Sequence, residues 1–97
     1  MNRKDVVQTI DNHRHELVSQ FGVQTLALFG SVARDEAGDD SDIDMLVEFN
    51  RPTGYFGLVA LQEYLAGLLQ QPVDLGTLHG LKPRVRTRVE REMRYVL

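Results

Sequence analysis

Val6, Ile10, His13, Leu17 and Phe21 stand three and four residues apart. That spacing, about 3.6 residues per turn, predicts a first helix with one apolar stripe. Gly22 follows and is expected to stop it as a left-handed C-terminal cap. Residues 25–29, Thr-Leu-Ala-Leu-Phe, form a short and nearly continuous apolar run, the pattern of a buried strand. Gly30-Ser31 breaks that run, and residues 31–34 are expected to open a short helix with Ser31 near its N-terminus. Residues 35–41 read as a polar loop, because Gly38, Asp39, Asp40 and Ser41 are turn formers.

Residues 43–49 alternate. Ile43, Met45, Val47 and Phe49 fall on one face of a strand, and Asp42, Asp44, Leu46 and Glu48 fall on the other. One face is wholly apolar, and the other begins with two carboxylates. A loop over residues 50–54 leads to a second helical stripe, Leu58, Leu61, Leu65, Leu68 and Leu69, which Pro72 ends. Val73-Asp74-Leu75 reads as a short third strand with Asp74 pointing away from its neighbours. Residues 76–80 read as loop, and Val85, Val89, Met93 and Val96 as the stripe of a final helix. The expected order is α-β-α-β-α-β-α over residues 1–97, one α/β domain with helices packed on one face of a small sheet.

Composition narrows the class. Apolar residues at 42% and charged residues at 26% suit a soluble globular chain, and 97 residues suffice for one core. No apolar run approaches the roughly 20 residues of a membrane span, so no membrane partner is expected. Arg3, Lys4, Asp5 and Asp11 interrupt the first segment, so no signal peptide is read there. A cytoplasmic location is the expectation. Cysteine is absent, which excludes disulfides and thiolate chemistry. The net charge of -3 hides an asymmetry: Asp35, Glu36, Asp39, Asp40, Asp42, Asp44 and Glu48 crowd one stretch, and Lys82, Arg84, Arg86, Arg88, Arg91 and Arg94 crowd the end. A general nucleic-acid binder is basic overall, so direct nucleic-acid binding is not favoured. The basic end reads either as a solvated face with Arg86–Glu90 and Arg88–Glu92 pairs or as a docking surface for an acidic partner or RNA.

Aspartate is depleted in strands, so Asp44 between Ile43 and Met45 calls for a reason. Asp42 and Asp44 share a face, and two anions that close repel unless a cation compensates them. Hard oxygen ligands select Mg2+ or Mn2+. Asp74 can add a third carboxylate from a neighbouring strand if the acidic faces align. Three converging aspartates suit two metal ions, which stabilise the attacking and leaving oxygens of phosphoryl chemistry. Taken singly these residues have plainer readings: a solvated turn, an aspartate facing water, a surface Asp74. Gly30-Ser31 adds the other half. A glycine between strand and helix lets backbone N–H groups approach a phosphate, and Ser31 can donate its hydroxyl. Arg34, one turn on, can reach the same phosphate or pair with Asp35. His13, His15 and His79 have no metal-ligand spacing; His13 on an apolar stripe reads as a core or boundary residue.

Residues 28–34, Leu-Phe-Gly-Ser-Val-Ala-Arg, followed by residues 41–47, Ser-Asp-Ile-Asp-Met-Leu-Val, resemble the minimal, MNT-type nucleotidyltransferases of the DNA polymerase beta-like superfamily. The resemblance spans almost the whole chain, including Val73-Asp74-Leu75, where the family's third carboxylate falls. It departs at Asp35, where relatives often carry glycine. It implies a nucleotidyltransferase fold and transfer of a nucleoside monophosphate from a triphosphate, ATP foremost, to a hydroxyl. Asp42 and Asp44 would hold two Mg2+ ions, with Mn2+ as the alternative. Asp74 would complete the second site and help activate the acceptor. Gly30 and Ser31 would hold the triphosphate, with Arg34 and Ser41 as further nucleotide-binding residues.

A chain this short has no room for a separate acceptor-binding domain. Free-standing proteins of this kind resemble the antitoxins of HEPN/MNT toxin–antitoxin pairs, which transfer AMP to a tyrosine of a HEPN-type ribonuclease toxin. That transfer is the leading expectation. The alternatives are an antitoxin that binds a nucleotide and neutralises its partner by contact alone, and nucleotidyl transfer to a small molecule or RNA.

Overall fold

The alternation over residues 43–49 becomes β2 (Ile43–Phe49), a central strand of a four-stranded sheet. The structure is a computed structural model and describes residues 2–36, 38 and 41–97; Asp39 and Asp40 of the acidic stretch lie outside the described residues. In chain order the other elements are α1 (Arg3–Asn12), α2 (Arg14–Ser19), β1 (Val23–Phe29), α3 (Gly30–Ala33), α4 (Tyr55–Leu69), β3 (Val73–Gly76), a 3-10 turn (Leu78–Gly80), α5 (Pro83–Glu92) and β4 (Arg94–Tyr95). The sheet order is β3-β2-β1-β4. β1 runs antiparallel to both β2 and β4, whereas β3 runs parallel to β2, with α4 as the crossover that a parallel pair requires.

Register separates the two faces. Leu28 opposes Met45 and Leu26 opposes Val47. With Ile43, Val73 and Leu75 they form the sheet side of the core, against Val6, Ile10 and Leu17 from the first two helices and Leu61, Leu65 and Leu69 from α4. Phe21 and Tyr64 stack beside it with ring centroids 4.7 Å apart. The edge strand β3 also receives a side-chain bond: the Leu75 N–H donates to Gln62 Oε1 of α4 at 3.0 Å.

Two elements differ from the sequence expectation. The first helix breaks at His13 (φ -116°, ψ 18°) and ends at Ser19, short of Gly22. His13 caps α1 instead, its Nδ1 2.9 Å from the Thr9 carbonyl. Gly22 keeps the expected left-handed conformation (φ +68°), in the turn that enters β1. The last helix stops at Glu92 rather than running to Val96. Arg94 and Tyr95 pair with Leu28 and Ala27, and the Val96 N–H donates to the Leu26 carbonyl at 2.8 Å. The stripe Val89–Met93–Val96 mimics a helix because a short strand supplies buried positions at similar intervals.

α5 packs beside α3. Its Arg86 lines the same cavity, about 470 Å³, as Ala27, Leu46 and Tyr95, which face away from that core.

Candidate active site

β1 and β2 bring the two halves of the sequence motif together. Phe29 opposes Asp44 in the antiparallel register, so Gly30 follows directly beside that carboxylate. Gly30 has φ +73°, a left-handed conformation that glycine adopts freely. A β-carbon on Gly30 would collide with Asp44 Oδ2. Two constraints therefore meet on one residue: its backbone is left-handed, and the carboxylate fills the space a side chain would need. Ser31 follows, half-buried, as the second residue of α3.

β2 and β3 bring in the third carboxylate. The parallel register pairs Asp44 with Asp74, and residues so paired project from the same face. Asp42 stands just before β2 and is exposed; Asp44 is half-buried and Asp74 exposed. Burial holds the Asp44 carboxyl above the ordinary carboxylate range, and the carboxylates of Asp74 and Asp42 push it further the same way. The Arg34 guanidinium opposes them.

None of the three carboxylates makes a hydrogen bond or an ion pair with another described residue. Among the described residues, no three His, Asp or Glu side chains stand as a ready-made metal cage. The donor set itself fits a hard divalent cation: oxygen only, anionic, and mutually repelling without one. The condition set for Asp74, that the acidic faces align, is met by the register.

The remaining candidates sit differently. Arg34 pairs with Glu36 (3.0 Å) and Glu92 (3.2 Å), not with Asp35. Glu92 is thereby taken from the expected Arg88 pair, while Arg86–Glu90 forms at 3.1 Å. The Ser41 hydroxyl oxygen accepts from the Gly38 N–H at 3.1 Å, within the loop that delivers Asp42. The cavity over Ala27 and Leu46, farther along the same strands and lined by none of the carboxylates above, was not marked in the sequence. Its signal was Ala27, a small residue between Leu26 and Leu28 on the carboxylate-bearing face.

Asp35 has a physical account. Its φ of +60° is left-handed, which explains why glycine suits this position. The aspartate offsets the strain by accepting a bond from the Arg3 N–H at 3.2 Å, at the start of α1. Asp35→Ala loses that bond and keeps the strain, so relative to the parent it costs one hydrogen bond, about 0.5–1.5 kcal/mol. Thermal unfolding should show Asp35→Ala melting several degrees below the parent, at roughly 4–8 °C per kcal/mol, with Asp35→Gly close to the parent.

Residues 10–96 match the nucleotidyltransferase domain family, and the chain belongs to that family. It is a minimal nucleotidyltransferase of the MNT type. The protein adenylyltransferase MntA of Thermococcus cleftensis is 38% identical over 93 residues, covering 96% of this chain and 94% of that one. A solved structure provisionally described as a minimal nucleotidyltransferase superposes with a TM-score of 0.82 at 35% identity, covering 97% of this chain and 95% of the other. A chain from the tri-AMPylated Shewanella oneidensis HEPN toxin in complex with MNT antitoxin shares the fold at a TM-score of 0.66 and 22% identity, covering 94% of this chain and 71% of that one.

Proposed function

We propose that this protein is an antitoxin that transfers AMP from ATP to a tyrosine hydroxyl of a partner HEPN-type ribonuclease toxin and so neutralises it. The observation that carries the chemistry is the convergence of Gly30 and Asp74 on Asp44 from the two strands flanking β2. The acceptor is supported by the adenylyltransferase relative at 38% identity and by the toxin complex that shares the fold.

In this reading Asp42 and Asp44 hold Mg2+, or Mn2+, and Asp74 completes the set. A metal held there would supply charge neutralisation of the phosphates and a lowered pKa for the attacking hydroxyl. Gly30 and Ser31 hold the triphosphate through backbone N–H groups and the Ser31 hydroxyl, with Arg34 and Ser41 beside them. Asp74 lies across Asp44 from the Gly30 turn, and in this reading it helps to activate the tyrosine hydroxyl, as a metal ligand or as the base that takes its proton. A bond forms between the tyrosine oxygen and the α-phosphorus. The bond from that phosphorus to the oxygen bridging to the β-phosphate breaks, and pyrophosphate leaves. The work of the chain is positioning and charge placement.

The test uses ATP labelled at either the α- or the γ-phosphate, with Mg2+ and a purified HEPN-type toxin as the acceptor. Label from the α-phosphate should appear on the partner, and label from the γ-phosphate should not. Transfer of γ-label instead would mean a kinase and would end this reading.

A further inference from the structure

A second cavity of about 450 Å³ is lined by four arginines, Arg3, Arg34, Arg91 and Arg94, with Glu92 as its one carboxylate. The sheet order places it on the far side of β1 from Asp44 and Asp74: Arg94 of β4 pairs with Leu28, two residues before Gly30. Two of the arginines are held. Arg3 donates Nη1 to the Ala33 carbonyl at 2.8 Å, and Arg34 bridges Glu36 and Glu92. Arg91 and Arg94 are exposed and make no hydrogen bond or ion pair with another described side chain.

Four guanidinium groups stand against two carboxylates, Glu92 in the lining and Glu36, both paired to Arg34, so the uncompensated positive charge is that of the other arginines, Arg91 and Arg94 foremost. A guanidinium cannot relieve the repulsion by losing its proton, as a lysine or histidine can. An anion relieves it, and the planar fork of each arginine matches the oxygens of a phosphate. α3 begins at Gly30, beside Asp44, and its last residue Ala33 lines this cavity with Arg34, so the pocket stands one short helix away from the acidic site.

We propose that this pocket is a phosphate-binding subsite that takes up the pyrophosphate released by nucleotidyl transfer, with Arg91 and Arg94 as its free donors. The identity of the anion rests on the transfer reading above; the existence of the site does not. Binding is therefore measured by calorimetry with inorganic pyrophosphate, in the absence of ATP and divalent ions. The parent, Arg91→Ala with Arg94→Ala, and Asp42→Asn with Asp44→Asn are compared. Both arginines are on the surface, so the fold should be retained, which far-ultraviolet circular dichroism checks. The arginine variant should bind pyrophosphate about tenfold more weakly for each donor lost. The carboxylate variant should bind at least as tightly as the parent, because it removes nearby negative charge. Unchanged affinity in the arginine variant overturns the proposal. So does tighter binding of a poly-glutamate peptide than of pyrophosphate at the same residues, since that would make the pocket a carboxylate-docking site. Failure of AMP transfer to depend on Asp42 and Asp44 would count against the transfer reading and is scored in a separate assay.

Discussion

Replacing both Asp42 and Asp44 with asparagine is expected to lower nucleotidyl transfer at least about a thousandfold while leaving the fold intact. Changes to groups that merely orient a metal ligand cost about 10–100-fold, and this pair would be the ligands themselves. Neither carboxylate bonds to another described residue, so asparagine, nearly isosteric, breaks no structural contact. Stability should move the other way from activity. Burial and the two neighbouring carboxylates raise the Asp44 pKa in the folded chain. Between the ordinary aspartate value, about 3.9, and that raised value, the folded state binds more protons than the unfolded one. The contribution of Asp44 to stability therefore falls as pH rises through that window and stays lower above it. With a chelator present, the single variant Asp44→Asn should melt at or above the parent temperature at pH 7, and the difference should shrink toward pH 3. Mg2+ should raise the melting temperature of the parent and leave the double variant unchanged, because only a folded state that binds the ion is stabilised by it.

Gly30→Ala is expected to be the most damaging single change outside the carboxylates. The left-handed backbone alone costs alanine about 1–2 kcal/mol, so a fall of at least roughly 4 °C in melting temperature follows. The added β-carbon also meets Asp44 Oδ2, and either β1 or the carboxylate must shift. A displacement of order 1 Å at a reacting centre can cost about a hundredfold in rate. Transfer should therefore fall by at least that factor even at a temperature where the variant remains folded. Ser31→Ala is the control. It removes one hydroxyl without backbone strain, and should lower transfer with little change in thermal stability.

Much of this was legible in the chain. The alternation over residues 43–49 predicted β2 to the residue, because one wholly apolar face leaves no choice of register. The stripe of leucines located α4, and Val73-Asp74-Leu75 located β3. What escaped is non-local. β4 is two residues long and exists because β1 offers it an edge. The break at His13 leaves the apolar stripe in phase on both sides, so periodicity cannot reveal it. The collision that a β-carbon at Gly30 would meet depends on the β1–β2 register, which no local pattern encodes. The arginine pocket joins residues from the two ends of the chain, Arg3 with Arg91 and Arg94, which only the folded chain brings together.

AMP transfer by this carboxylate site to a partner tyrosine is read from the intact mass of the partner. The HEPN-type protein is incubated with ATP and Mg2+ and with either the parent or the Asp42→Asn, Asp44→Asn variant, then weighed and mapped by peptide fragmentation. A mass gain of one or more AMP groups is expected with the parent alone, located on tyrosine. An unmodified partner that is nonetheless neutralised by parent and variant alike would contradict it, and would leave contact as the means of neutralisation.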